Sequence, residues 1–186
     1  MYQTTDFRKG LKIEYEGGLW SIVECNHVKP GKGVAFVKTK LKNMIDGRTL
    51  DINFRSGDKV GAPDVMDVDM QALYSDGEFW HFMNMNNYEQ VQITHEDLGD
   101  TALYMKEEIS VGVMLYNGRP IGVSLPNFVQ LQITECEPGV RGDTAQGGTK
   151  PATLETGAVV LVPLFVEQGE VIKVDTRTGE YSSRVK

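Results

Sequence analysis

The stretch richest in chemical possibility runs from Lys29 to Lys42, KPGKGVAFVKTKLK, which holds five lysines inside a span with no acidic residue between Glu24 and Asp46. Pro30 restricts the chain as it enters the turn, and Gly31 and Gly33 allow positive φ on either side of Lys32. Lys32 is thereby presented outward, alone, as a compact charge on a flexible stem. Such a group suits insertion into an RNA crevice, or covalent extension of its amine by an enzyme. Further on, Lys38, Lys40 and Lys42 alternate with Val37, Thr39 and Leu41, so a strand here carries one basic face. The plain alternative is a solvated turn whose lysines discourage edge-to-edge aggregation.

Other chemistry is thinner. The GKG tip is too short to grip a phosphate, and Gly142 to Gly147, though spaced like a phosphate-binding loop, is followed by Gly148-Thr149 instead of Lys-Ser or Lys-Thr. Asp64, Asp67 and Asp69 lack the spacing of a calcium loop and read as a solvated strand start. Phe79, Trp80 and Phe82 could form a base-stacking platform, but their acidic surroundings and their alternation favour core packing. Cys25 and Cys136 lie far apart with no companion ligands and read as buried free thiols. His27, His81 and His95 are scattered, with no Ser or Cys nucleophile evident beside any of them. No catalytic residue, metal or cofactor is therefore expected.

The elements needed to position Lys32 are legible around it. LWSIVECNHV reads as a strand that pairs with the lysine-bearing one, leaving Pro-Gly-Lys-Gly at the tip of a hairpin. Elsewhere, Asp76-Gly77 and Asn117-Gly118 suit type I′ turns, and Gly17-Gly18, Asp46-Gly47 and Thr178-Gly179 add hairpin candidates. One short helix or turn fits Glu96 to Glu107, with Leu98, Ala102 and Met105 on one face. The apolar run Ala158 to Val166 reads as a buried strand. The class is all-β. Composition shifts near Gly61-Ala62-Pro63 and Pro126-Asn127 suggest three small barrels over 1–63, 64–127 and 128–186. A faint likeness of VGVMLYNGRPIGVSLP to AVVLVPLFVEQGEVIKV fits two related barrels.

Charge divides along the same lines. The first third has 11 basic and 7 acidic residues, the middle third 2 and 11, and the last third 6 and 8. Such an asymmetry suits one end meeting a polyanion while the middle is kept soluble or repelled from it; the plain alternative is a dipolar but functionally silent surface. No apolar run approaches the roughly 18 to 20 residues of a membrane span. The N-terminal stretch, carrying Asp6, Arg8, Lys9 and Lys12, has no apolar core of a signal peptide, so a cytoplasmic monomer without membrane partners is expected.

Four segments resemble the bacterial translation elongation factor P family: KPGKGVAFVKTKLKN at 29–43, YSDGEFWHFMN at 74–84, KPATLETGAVVLVPLFVEQGE at 150–170 and the closing VDTRTGEYSSRVK. The resemblance covers the chain from Phe7 to Lys186 and implies an L-shaped, tRNA-sized protein with an SH3-like (KOW-like) first barrel and two OB-fold barrels. It implies a partner in the 70S ribosome, its RNA and proteins, between the P and E sites, where stalling at consecutive prolines is relieved. Lys32 matches the position that reaches toward the CCA end of P-site peptidyl-tRNA and that a lysine-modifying enzyme often extends. Lys29, Lys38, Lys40, Lys42 and Arg55 would meet RNA. The loop Gly142-Asp143-Thr144-Ala145 matches the one that faces the E-site mRNA codon, and Tyr181 with Arg184 matches a segment near ribosomal RNA. Chemistry would stay with the ribosome, so no enzyme is implied. A general single-stranded RNA-binding OB protein is the rival reading, and a β-barrel hydrolase ranks last.

Overall fold

Among the residues described, 1–139 and 148–186, the computed structural model has sixteen strands and one short α-helix. No helix among them is long and apolar enough to cross a membrane. The chain divides into two compact units, residues 1–66 with 116–121, and residues 67–115 with 122–186.

In the first unit, β2 (Lys12–Tyr15), β3 (Gly18–Val28), β4 (Phe36–Asn43) and β5 (Thr49–Arg55) form one antiparallel sheet in sequential order. A short pair, β1 (Tyr2–Gln3) and β6 (Lys59–Val60), accompanies it. Alternation on β4 buries Val37, Thr39 and Leu41 and exposes the lysines between them. Val37 and Leu41 join Ile13, Trp20 and Phe54 in one core. Phe54 meets Phe7 and Tyr15 edge-on, at centroid distances of 5.2 and 5.4 Å, an arrangement that the ring quadrupoles favour. Within the same unit the Tyr116 hydroxyl donates to Glu14 Oε1 at 2.9 Å, and this bond raises the tyrosine's pKa above its ordinary value.

The second unit holds two sheets of five strands. One is β7 (Val65–Ser75), β8 (Phe79–Met83), β9 (Gln90–Thr94), β10 (Ser110–Tyr116) and β11 (Arg119–Ser124), whose hairpin tip counts with the first unit. The other is β12 (Phe128–Cys136), β13 (Thr149–Leu154), β14 (Val159–Pro163), β15 (Val171–Asp175) and β16 (Glu180–Arg184). Numbered within each sheet, both have the order 3-2-1-4-5, the strand order of an OB barrel. Each also carries a bulge between its first two strands, at Ala72/Tyr74 and at Ile133/Glu135. Separate apolar clusters fill them, around Phe82 in one and Leu131 in the other. Between β9 and β10, helix α1 (His95–Leu98) and a 3-10 turn bury Leu98 and Met105, with Ala102 packed against them.

The structure departs from the sequence expectations at several points. The alike segments 111–126 and 158–174 occupy strands 4–5 of one barrel and 3–4 of the other, so their likeness does not align equivalent strands, although the topologies do match. The first turn centres on Glu16-Gly17, with φ of 48° and 74°, and Gly18 already pairs with Tyr15. Asn117-Gly118 has positive φ at both positions, as type I′ requires; at Asp76-Gly77 only the glycine does, because the Asp76 carboxylate closes that turn by accepting from the amides of Glu78 and Phe79. Strand β14 is buried on one face only: Val160 and Val162 lie in the core while Val159 and Leu161 are 64% and 62% exposed, since alternate residues of a strand point to opposite sides. Both cysteines are free but half-buried.

Candidate functional site: the lysine finger

The hairpin of β3 and β4 pairs from Trp20 opposite Asn43 to Val28 opposite Phe36, with a one-residue shift between Ile22 and Glu24, leaving residues 29–35 as its tip. Its base is fixed by Asn43, buried, whose Oδ1 accepts from the amides of Ile45 and Asp46 at 2.8 and 3.0 Å and so shapes the β4–β5 turn. Near the tip, the Ser56 amide donates to the Ala35 carbonyl at 2.9 Å, tying the end of the loop to the end of β5. Lys29, Pro30, Gly31, Lys32 and Gly33 are all exposed. Gly33 has φ of 119°, where a Cβ is strained, but Gly31 does not adopt positive φ, so a single left-handed residue turns the chain.

Below the tip, the outward face of β3–β4–β5 is a grid read off the two registers. Phe36 lies between Val28 and Arg55, Lys38 between Asn26 and Asn53, Lys40 between Glu24 and Asp51, and Lys42 between Ser21 and Thr49. Residues directly opposite in an antiparallel pair hold their Cβ atoms about 4.5–5.5 Å apart. Sequence reading anticipated the lysines and Arg55 on this face but not the carboxylates, so the expected basic face is mixed at its centre. The signal was present: Glu24 and Lys40 stand eight residues on either side of Lys32. The Asn26 amide donates to Glu24 Oε1 at 3.2 Å. Glu24, Asn26, Lys38, Lys40, Asp51 and Asn53 line an open groove of about 290 Å³.

The remaining sequence candidates lie apart from this face. Tyr181 packs against the third core from β16. Arg184 stacks over Phe165 at 4.9 Å and its Nη1 lies 3.3 Å from Glu170 Oε1. Gly142, Asp143, Thr144 and Ala145 lie outside the described residues. Among the described residues no group of three His, Cys, Asp or Glu is placed to hold a metal.

One expectation is overturned. A serine does lie beside a histidine, with Ser75 Oγ 2.7 Å from His95 Nε2, because β7 and the start of α1 converge beside the β7–β8 turn. Ser75 Oγ also accepts from the Gly77 amide at 3.2 Å. Among the described residues no carboxylate orients His95, so the pair lacks the third member of a nucleophilic triad. The neighbouring His81 instead pairs with Asp76 and stacks on Tyr74 at 4.5 Å.

Three family models match the chain in order: the elongation factor P KOW-like domain over residues 3–60, the elongation factor P OB domain over 65–123, and the elongation factor P C-terminal domain over 129–184. Among solved structures, the chain is similar to eukaryotic translation initiation factor 5A from Methanococcus jannaschii, at 18% identity and a TM-score of 0.56, over 64% of this chain and 88% of that one. It is also similar to a translation initiation factor eIF-5A family protein from Naegleria fowleri, at 19% identity and a TM-score of 0.51, over 67% and 96%. Those two likenesses speak to the fold. With all three domain models matched in sequence order, the chain belongs to the elongation factor P family of translation factors.

Proposed function

We propose that this protein binds the ribosome between the P and E sites and relieves stalling at consecutive prolines by holding the CCA end of peptidyl-tRNA with the Lys32 finger. The observation that carries the reading is the placement of Lys32, exposed at the apex of a hairpin whose root is packed into a core. Proline is a slow acceptor, and a peptidyl-tRNA that wanders loses the near-attack geometry that aligned reactants share. A cationic finger on the CCA backbone lowers that entropic part of the barrier, and the bond-forming chemistry stays with the ribosome.

In this reading Lys29, Lys38, Lys42 and Arg55 add phosphate contacts, Lys40 lies among them between acidic neighbours, the loop 142–145 meets the E-site codon, and Tyr181 and Arg184 lie toward ribosomal RNA. Lys32 is the acceptor for a modifying enzyme. The three barrels are assigned as 1–63, 64–127 and 128–186, and the protein works as a monomer in the cytoplasm.

The test is translation of a reporter carrying three consecutive prolines, with native-source protein against Lys32→Ala. Rescue by the first and its loss in the second, with ribosome binding retained, is the expected result. Failure of both to rescue, with equal binding to free single-stranded RNA, would sink the reading in favour of a general RNA-binding OB protein.

A further inference from the structure

A surface made only to hold phosphates has no use for carboxylates at its centre, yet the finger has two. Lys40 is the middle lysine of β4, and its cross-strand neighbours on both sides are acidic: Glu24 on β3 and Asp51 on β5. All three side chains are exposed and line the same groove. Lys38, one step nearer the tip, is flanked by the neutral amides of Asn26 and Asn53, and Arg55 lies one step beyond Asn53 on the same face. Positive charge is therefore uncompensated toward the tip, cancelled at the row of Lys40, and uncompensated again at Lys42, between Ser21 and Thr49. A polyanion laid along the whole strand would gain at Arg55 and Lys38 and be repelled one row later. Opposite charges directly across a strand pair attract, while a third anion entering the row meets two carboxylates and one ammonium.

We propose that Glu24 and Asp51 are selectivity residues of the finger: they cancel the attraction of Lys40 for phosphate, so that the tip-proximal cations are cut off from Lys42 and the face discriminates against long, unspecific single strands laid along its whole length. The inference rests on the RNA-binding reading of the finger given above. It explains why a finger carrying several lysines need not be sequestered by bulk RNA: attraction that is sequence-independent and salt-dependent rises with every phosphate neutralised, and removing one row from the contact trims that term directly.

The experiment uses the full chain with Glu24→Gln and Asp51→Asn, singly and together, both near-isosteric changes at exposed positions. Binding is measured to an oligouridylate and to ribosomes holding P-site peptidyl-tRNA, from about 50 to 200 mM salt. The double variant should bind oligouridylate about tenfold more tightly, with a salt slope steeper by about 0.7 for each added phosphate. Ribosome affinity should rise less, so the ratio of the two falls. Adding Lys40→Ala to the double variant should remove the larger part of the gain, because the released charge is that of Lys40, while the lost repulsion of the two carboxylates remains. If the triple variant keeps the whole gain, Lys40 is not the charge that the carboxylates offset and the proposal fails. If the double variant binds oligouridylate as the parent does while Lys38→Ala weakens binding, the proposal fails and the RNA-binding reading stands. If neither the double variant nor Lys38→Ala changes any affinity, both fall.

Discussion

Asp76 Oδ2 lies 2.8 Å from His81 Nε2 across the β7–β8 hairpin, while its Oδ1 accepts from the amides of Glu78 and Phe79. The hydrogen bond from His81, followed by those two amides, lowers the Asp76 pKa from the ordinary 3.8 to about 2. A carboxyl depressed on folding contributes stability that is fully present above its unfolded pKa and is lost as pH falls through the folded one. Asp76→Asn should therefore lower stability at neutral pH, and the difference from the parent should shrink between about pH 4 and pH 2. Urea unfolding across that window checks it; a difference that stays constant down to pH 2 would show that the charge plays no part.

The lysines of β4 should prove unequal. Lys38→Ala should weaken binding to single-stranded RNA and reduce the salt slope by about 0.7, the contribution of one phosphate. Lys40→Ala should change both by less, since Glu24 and Asp51 already offset its charge. Equal losses at the two positions would contradict the grid of side chains described for this face.

Leu41, fully buried, sits between these lysines on the opposite side of β4. Leu41→Ala removes packing beneath the finger and should cost about 2–5 kcal/mol, with the charge of the outer face untouched. Chemical denaturation measures it. A loss below about 1 kcal/mol would mean that the site collapses around the missing atoms.

Gly139 is required for its lack of a side chain. A Cβ built there would lie 2.5 Å from the Leu164 carbonyl oxygen and 3.2 Å from the Leu164 carbonyl carbon, which are backbone atoms and cannot swing aside. Gly139→Ala should destabilise the third barrel by about 1–3 kcal/mol, as overpacking does. Gly122→Ala is the control, because a Cβ at Gly122 meets nothing within 4 Å. Similar melting temperatures for the two variants would refute the close approach.

Much of this architecture was legible in the chain because it rests on short-range rules. The period-two pattern of Val37, Thr39 and Leu41 fixes which side of β4 carries lysines, and Asn117-Gly118 writes its own turn through two positive φ values. What escaped depends on pairing between strands. Glu24 and Asp51 are unremarkable acids until the register sets them against Lys40. Ser75 and His95 are twenty residues apart and meet only because β8 and β9 bring α1 back to the end of β7. Val159 and Leu161 are exposed because β14 turns one side to the core and the other outward, a division that a continuous apolar run does not display.

The bulge in β3 is a single extra residue, Val23, between the pair Ile22 with Leu41 and the pair Glu24 with Lys40. Without it, continued pairing would set Val23 against Lys40 and turn Glu24 and Asn26 to the inner side, because a one-residue slip exchanges the two faces of a strand. The finger's electrostatic pattern is thus encoded in a count as well as in composition. Two chains with identical numbers of lysines and acids would carry opposite fields along this hairpin if one kept that residue in regular pairing instead of bulging it, and no comparison of net charge would reveal it. Aligning such chains by distance from the tip, not by their overall sequence, is the way to see which of them share this surface.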